Sequence, residues 1–510
     1  MSACAIKPLE YPTDIAPIDR DRVTSLIAVE LLRQDINQLV KMVQSIHPEP
    51  FAIISKIHFL EQAERIKQSL QYPLSRSEFY IRIAPLVAQL RDIHSQIKLP
   101  KYPPSNSHNN NRLFPLAVLY EKQGLYVAAD LSPNPQIRSG SQIVSINGAP
   151  IDFLLDVMRR MTAYETQAGL RRRVQIDFPW LLWVMGYASQ NYQIEYLSGL
   201  ELKRVELEGI MPVTSSSKNE TEGTLVKSVT ETNAAPSGLI KEEDQPIASF
   251  YGSSQLADNT RLLWFNDFKE KPQAFQQFLQ HEFETMQRQA SEKLIIDVRY
   301  NDGGLSQNIK TLLSYISNKP VYWSQRGELQ ISSAFKILHH QKTKQRRKNK
   351  YKWGLQWLPL EWTDTLQYEI SWSDNGEKIA VNFEPVEPKQ TYLPNNILLL
   401  VNGFCYSACS SLVATVNQYS LAQTLGEISG NYARVQYAYP IVSQLKNSHL
   451  KLMLPTMKLE FTQVEIDRRS IMNEATSLVK PKITMQRSQQ DIVEQRDAVL
   501  SKALLILEND

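Results

Sequence analysis

The chain has 510 residues, of which 42% are hydrophobic and 21% are charged, and its formal net charge is +3. This composition is typical of an ordinary globular protein with several domains. The charge is too small to indicate nucleic acid or an anionic membrane as a partner, and no apolar run reaches the ~18 residues of a transmembrane helix.

The N-terminal stretch MSACAIKPLEYP has neither a basic n-region nor an apolar h-region. The chain as given is therefore expected to carry no signal peptide. The segment Ser2–Cys4 is interpreted as a simple polar start, and its resemblance to the end of a bacterial lipoprotein cleavage box is the less favoured alternative.

Residues 24–100 predict a helical N-terminal domain that follows a tail at residues 1–23. The stretch IAVELLRQDINQLVKMVQSI repeats apolar residues every three or four positions, as one buried helix face requires. In SRSEFYIRIAPLVAQLRDIH, Ser75 and Glu78 fit a capping box. This helix is expected to end near His94.

Residues 101–212 predict a smaller β-rich domain, because short alternating strands and turns replace the helical pattern. The stretch RSGSQIVSINGAPIDF contains a strand followed by an Asn-Gly turn. Residues 213–246 are polar and poor in apolar residues. We expect them to form a flexible linker or loop.

Residues 247–510 predict an α/β domain, because buried strands alternate with helices. EKLIIDVRYNDGG is a strand that ends in a glycine turn, and NILLLVNGFCYSACSSLVATV is a strand, a turn and a helix. Residues 320–390 are expected to be an insertion, with the basic run KTKQRRKNKYK as a solvated loop. The fold class is therefore α/β and multidomain.

Ser407 lies at the predicted join between a buried strand and a helix. A serine becomes a nucleophile when a base, usually histidine, takes its proton. A strand that ends in Gly-Gly can supply backbone N–H groups for an oxyanion. Each signal is weak alone, because a serine that opens a helix is usually a cap.

Three cysteines, Cys4, Cys405 and Cys409, are too few for a disulfide framework and form no CxxC pair. Cys405 and Cys409 bracket Ser407. We expect both to be small buried packing residues.

Several motifs together resemble peptidase family S41, the C-terminal-processing or tail-specific serine proteases. LIIDVRYNDGG resembles the family's DLRxNxGG strand and turn, and SACSSLVA resembles the start of its nucleophile helix. GEISGNYARVQ resembles its GEPTxGKGxVQ segment, and GSQIVSINGAPI is similar to the second half of a PDZ domain. The resemblance covers residues 30–510. It implies a helical N-terminal region, a PDZ-like domain and a ClpP/crotonase-like catalytic core.

The resemblance implies Ser407 as the nucleophile and points away from a Ser-Lys mechanism. Tyr432 occupies the position of the lysine in that branch of the family, and Arg434 is too basic to act as a neutral base. RDIHSQIKLP instead is similar to the DGHTxLxLP motif of the tricorn-core-like Ser/His branch. This likeness implies His94 as the base.

The remaining site residues are also implied by the resemblance. Glu474, in NEATSLVKPKI, is the implied partner of the histidine, and Glu465 is the alternative. For either glutamate, a solvated surface carboxylate is the competing interpretation. The implied oxyanion donors are the backbone N–H groups of Ala408 and of Gly303 or Gly304. Three residues are expected to be buried and to stabilise the turn after the strand: Asp297, Arg299 and Asn301.

The sequence thus predicts a serine-type endopeptidase of peptide or protein substrates, with no cofactor and no metal. Peptide capture by strand addition at the PDZ-like domain is expected. A catalytically inactive S41-like module that binds peptide or another ligand is the first alternative, and a scaffold protein is the second. The resemblance favours an extracytoplasmic, periplasmic or lipoprotein-anchored location. Oligomerisation is left open.

Overall fold

The computed structural model of the chain describes residues 25–100, 112–211, 251–256, 259–337, 339, 369–370, 372–389, 392–433, 435–461 and 478–509. In chain order the helices are α1 (Val29–Ile46), α2 (Lys56–Ser69), α3 (Arg76–Ala88), α4 (Ile151–Met161), α5 (Gln167–Val184), α6 (Pro272–Gln289), α7 (Ser306–Ile316), α8 (Ala408–Tyr419), α9 (Gln489–Val493) and α10 (Ala498–Asn509). The strands are β1 (Gln96–Ile97), β2 (Leu116–Glu121), β3 (Gly124–Asp130), β4 (Gln142–Ile146), β5 (Ala149–Pro150), β6 (Asn191–Ser198), β7 (Glu201–Glu208), β8 (Tyr251–Gln255), β9 (Thr260–Phe265), β10 (Lys293–Asp297), β11 (Arg326–Gln330), β12 (Lys378–Asn382), β13 (Asn396–Val401), β14 (Gln423–Gly426), β15 (Val435–Ala438), β16 (Ile441–Gln444), β17 (Lys451–Leu454), β18 (Met457–Glu460) and β19 (Ile483–Thr484).

The chain divides into two compact units, and each is assembled from three separate segments. The first unit comprises Met1–Pro100, Ser324–Pro385 and Arg434–Thr476, and the second comprises Lys101–Trp323, Val386–Ala433 and Ser477–Asp510. The domains predicted from sequence are contiguous stretches instead. Most of the predicted insertion at residues 320–390 therefore groups with the N-terminal helices rather than with the α/β domain.

The first predicted helix is confirmed as α1. Its fully buried positions include Leu32, Ile36, Leu39 and Val43, which lie three or four residues apart. This spacing places their side chains on one face of the helix. The apolar periodicity of the sequence is thus the physical reason for this helix and for its direction of packing.

The helix predicted to end near His94 ends earlier, at Ala88 in α3. Its capping box at Ser75 and Glu78 is confirmed. Pro85 lies inside the last turns, where it removes a backbone donor, and Arg91 adopts a left-handed φ of 55° just beyond. Because L-residues do not continue a helix in that conformation, His94 lies in a turn between α3 and β1.

Two antiparallel sheets complete the first unit. One has the strand order β1-β17-β16 and the other has the order β12-β11-β18-β15. In the first sheet, Gln96 pairs with Met453 and Ile97 pairs with Leu452. The turn that carries His94 is therefore fixed at one end by α3 and at the other end by a paired strand.

The second unit contains an antiparallel sheet with the order β2-β3-β4-β6-β7. The Asn-Gly turn predicted within it is confirmed, because Asn147 has φ 49° and Gly148 has φ 77° between the paired strands β4 and β5. Two residues with positive φ are what a tight hairpin turn of this type requires. Helices α4 and α5 follow this hairpin.

The same unit contains a six-stranded sheet with the order β19-β14-β13-β10-β9-β8. Strands β9, β10, β13, β14 and β19 run parallel, and β8 is an antiparallel edge strand. The carboxyl ends of the neighbouring parallel strands β10 and β13 lie at one edge, where sites form in open α/β sheets. Across the described residues, no helix has both the length and the apolar character needed to cross a membrane.

Candidate active site

Ser407 lies on a sharp turn between β13 and α8, with φ 53° and ψ −122°. Such a conformation costs a non-glycine residue about 1–3 kcal/mol and persists only where the surroundings enforce it. The Ser407 side chain makes no capping hydrogen bond to α8 within the described structure. The helix-cap interpretation therefore fails, and Ser407 lies on a strained strand-to-helix turn, the kind of turn that presents the serine in nucleophile-elbow sites.

Hydrogen bonds from both neighbouring segments hold this turn. The Ser407 N–H donates to Asn431 Oδ1 at 2.7 Å, and the Tyr406 N–H donates to the Asn301 carbonyl at 3.2 Å. The Gly430 N–H donates to the Cys405 carbonyl at 2.9 Å. Asn431 and Asn301 are fully buried. The strained backbone of Ser407 is thus compensated by bonds on each side of it.

Gly303 lies directly against Ser407. A β-carbon at Gly303 would lie 2.8 Å from Ser407 Cβ and 3.2 Å from Ala408 N, and its φ is +94°. Only glycine fits this close approach and this conformation. The Gly303 N–H donates to Asn301 Oδ1 at 2.9 Å, so this donor is already used. The Ala408 N–H at the start of α8 and the Gly304 N–H are the two remaining candidates for the predicted oxyanion donors.

The predicted turn-holding residues are buried beside this loop. Arg299 pairs with Asp297 and with Asp497, each at 2.7 Å. Burial opposes the charge of Arg299, but the two carboxylates outweigh it and raise the pKa of the guanidinium. Asn301 Nδ2 donates to the Phe265 carbonyl at 3.1 Å. These contacts fix the turn after β10 to Phe265 at the end of β9 and to Asp497 just before α10.

His94 lies in the first unit and is 9% exposed. Its backbone N–H donates to Asp92 Oδ1 at 3.0 Å, and its Nδ1 lies 3.8 Å from the same oxygen. The Ser95 hydroxyl donates to Asp92 Oδ2 at 2.6 Å. Asp92 therefore fixes the main chain around His94 by hydrogen bonds. It also places a negative charge close to the imidazole ring.

His47 approaches the same carboxylate from the other side. Its Nε2 lies 3.4 Å from Asp92 Oδ2, and its Nδ1 accepts from the Glu49 N–H at 2.9 Å. An Nδ1 that accepts leaves the proton on Nε2, which faces Asp92. Burial opposes ionisation of Asp92, but the two histidines outweigh it and lower the pKa of the carboxyl group. Asp92 is thus kept ionised next to His94.

Asp92 is a functional candidate to which the sequence prediction assigned no role. The signal was present, because Asp-x-His places a carboxylate two residues before the histidine. Glu474 and Glu465, the predicted partners of His94, lie outside the described residues. Their assignment stays a prediction. The predicted linker at residues 213–246 and the basic run also lie outside them.

The expectation that Cys405 and Cys409 are only packing residues is wrong. The two side chains form a disulfide, with the Cα atoms 5.2 Å apart. Cys405 precedes the turn and Cys409 lies in the first turn of α8, so the bend at Ser407 brings them within disulfide range. This covalent link encloses the candidate nucleophile in a short loop.

Arg172 on α5 connects the β-rich sheet to the α/β sheet within the second unit. It pairs with Glu121 on β2 at 2.9 Å and with Glu427, just after β14, at 2.7 Å. Burial opposes ionisation of Glu427, but Arg172 outweighs it and lowers the pKa of that carboxyl. Arg172 Nη1 also donates to the Tyr120 carbonyl, and the Tyr120 N–H donates to Gln175 Oε1 at 3.2 Å. Side chains of α5 thus bond to main-chain groups of β2, which is one of the two edge strands of this sheet.

Comparison with known proteins points to one family. Residues 262–467 match the model of Peptidase family S41. A solved structure of a CPAF mutant is 14% identical with a TM-score of 0.65, covering 94% of this chain and 97% of that chain. Mature CPAF complexed with lactacystin is 13% identical with a TM-score of 0.61, covering 94% and 99%. The photosystem II D1 C-terminal processing protease is 11% identical with a TM-score of 0.41, covering 92% and 98%.

No curated protein sequence matches this chain. The CPAF structures share its fold. The match at residues 262–467 supports a serine-type protease with a peptide or protein substrate.

Proposed function

We propose that this chain, which contains an S41 peptidase domain at residues 262–467, is an endopeptidase with Ser407 as nucleophile and His94 as base. The observation that carries the proposal is the strained, uncapped turn of Ser407, packed against Gly303. Strain of this kind is retained where a site needs it. Asp92, held ionised beside His94, is the second support.

In the proposed reaction, Ser407 Oγ attacks the carbonyl carbon of the scissile peptide bond while His94 takes its proton. The N–H groups of Ala408 and Gly304 would stabilise the oxyanion. The imidazolium then protonates the leaving amine, and water hydrolyses the acyl-enzyme. Asp92 would stabilise the imidazolium, together with Glu474 or Glu465 if the predicted glutamate takes part.

A fluorophosphonate probe tests this proposal, because it reacts with activated serine hydroxyls and needs no known substrate. The wild type should be labelled, and Ser407→Ala and His94→Ala should not be. Circular dichroism of each variant should match the wild type. A folded wild type that is not labelled would favour the inactive ligand-binding module. Labelling that persists in His94→Ala would place the base elsewhere.

A further inference from the structure

Glu165, in the segment between α4 and α5, is 2% exposed and belongs to the same unit as Ser407. Its carboxylate accepts from Asn431 Nδ2 at 2.6 Å and from the Tyr432 N–H at 2.8 Å. Asn431 in turn accepts from the Ser407 N–H at 2.7 Å through Oδ1. One amide side chain therefore separates a buried carboxylate from the main chain of the candidate nucleophile.

The direction of these bonds is set by chemistry. An ionised carboxylate only accepts hydrogen bonds, whereas an asparagine amide donates through one end and accepts through the other. Glu165 therefore forces Nδ2 of Asn431 toward itself and leaves Oδ1 for the Ser407 N–H. Hydrogen bonds to an ionised carboxylate are stronger than neutral ones. The orientation of Asn431 thus depends on Glu165.

Further contacts bind the segment around Glu165 to the turn that carries Ser407 and to the neighbouring segment at residues 429–432. Thr166 Oγ1 donates to the Ser429 carbonyl at 2.9 Å, and the Tyr406 hydroxyl donates to the Gly169 carbonyl. A β-carbon at Gly169 would lie 3.0 Å from the Gly430 Cα, so the two main chains are in close contact. The chain near Glu165 therefore packs directly against the turn that carries Ser407 and against residues 429–432.

We propose that Glu165 is a positioning residue for the peptidase reaction and acts through Asn431. By fixing the acceptor of the Ser407 N–H, it maintains the positive φ of Ser407. That conformation determines where Ser407 Oγ and the Ala408 N–H point. The proposal rests on the proposed function and adds to it a residue from outside the matched S41 segment at 262–467.

The test uses three variants and the fluorophosphonate probe, with the inactivation rate constant separated from probe affinity. In Glu165→Gln the side chain has one accepting oxygen and one donating NH2 group. Only one of the two donors, Asn431 Nδ2 and the Tyr432 N–H, can therefore keep its acceptor. Asn431→Asp sets two carboxylates against each other. Each single variant should slow inactivation about 10- to 100-fold, the scale of a small misplacement of a reacting group. Probe affinity should change less than about 2-fold, because neither residue is proposed to touch the substrate.

The double variant, Glu165→Gln with Asn431→Asp, reverses the polarity and should recover most of the rate. The amide introduced at position 165 would accept from the Tyr432 N–H through its oxygen and donate through its nitrogen to the carboxylate introduced at position 431. That carboxylate would still accept from the Ser407 N–H. A residue that acted independently of Asn431 would not give this recovery. If the single variants unfold, a folded double variant with the wild-type rate supports the proposal, and a folded but slow one overturns it.

A matched control is the exposed pair in which Asn191 Nδ2 donates to Glu206 Oε1 at 2.8 Å. Glu206→Gln changes the same type of hydrogen bond away from Ser407 and should leave inactivation unchanged. An unlabelled wild type would overturn the proposed function, and the positioning role with it. A labelled wild type whose Glu165→Gln variant reacts at the full rate would overturn the positioning role alone.

Discussion

The polar clusters around Ser407 and around His94 are built in opposite ways. Ser407 is held by Asn431, which is oriented by Glu165, a residue 266 positions away from Asn431 in the chain. His94 is held by Asp92, two positions away, and Ser95 bonds to the same carboxylate. His47 joins this second cluster from a distant segment. One cluster is assembled by the fold, and the other is mostly local.

This difference explains what the sequence revealed at each place. A local cluster leaves a readable spacing, such as Asp-x-His-Ser, whereas a cluster assembled by the fold leaves isolated polar residues with no common pattern. Removing one buried partner costs free energy in both clusters, because the other partner loses its hydrogen bond. The predictions below test whether the two clusters also differ in what their loss affects.

The largest effect is expected at Asp92. Asp92→Asn removes the charge beside His94 while keeping the size of the side chain, so the imidazolium formed in the reaction loses its stabilisation. Fluorophosphonate labelling should slow by about 10²- to 10⁴-fold, the range for loss of acid–base assistance. Ser95→Ala, which removes only one bond to Asp92, is the matched control and should slow labelling much less. Equal rates in wild type and Asp92→Asn would show that Asp92 has no catalytic role.

A second expected effect concerns stability and a long-range ion pair. Arg172→Met removes the cation that pairs directly with buried Glu121 and Glu427, and breaking a buried pair costs about 3–5 kcal/mol in the free energy of unfolding. Urea unfolding at pH 7 measures this difference. Arg173→Met is the control, because Arg173 is 37% exposed and pairs with Asp177 in the adjacent turn. Similar losses in the two variants would contradict the importance of the long-range pair.

The Arg172→Met difference should also depend on pH. In the wild type the pKa of folded Glu427 is lowered, so its stabilisation is present above the unfolded value of about 4.3 and is lost as pH falls through the folded pKa. In the variant the buried carboxyl lacks its direct partner Arg172, so its pKa is higher than in the wild type and protonation relieves the destabilisation. The two unfolding free energies should therefore converge between pH 7 and pH 4. A gap that widens on acidification would contradict this account.

The smallest effect is expected from a local feature far from both clusters. Ser75→Ala removes the side-chain half of the capping box of α3 and should lower the free energy of unfolding by about 1 kcal/mol. Labelling by the probe should not change. Thermal unfolding of Ser75→Ala and of Ser75→Thr, which keeps the cap, separates the loss of the cap from any change of side chain.

Local physics made part of the structure predictable. The capping box of Ser75, the turn at Asn147 and the strand-to-helix join at Ser407 each depend on residues a few positions apart. The predicted end of α3 was wrong. Pro85 is accommodated within the helix, and the left-handed conformation of Arg91 prevents the helix from continuing to His94. The disulfide was missed because the bend at Ser407, and not the spacing, brings Cys405 to Cys409.

The fold-assembled parts of the site could not be read from the sequence. Nothing in the chain around Glu165 indicates that its carboxylate meets Asn431, since their contact exists only after the two distant segments pack together. The same holds for Arg172 and Glu427. Nor did any pattern in the chain indicate that side chains of α5 bond to Tyr120 on β2.

The central claim is that Ser407 is an activated nucleophile, and the most direct measurement locates the atom that reacts. Folded protein would be treated with the fluorophosphonate probe, and the modified residue identified by mass spectrometry of its peptides. The account predicts one phosphonyl group on Ser407, with none on the neighbouring Ser410 and Ser411. An adduct on another residue, or no adduct on folded protein, would contradict it.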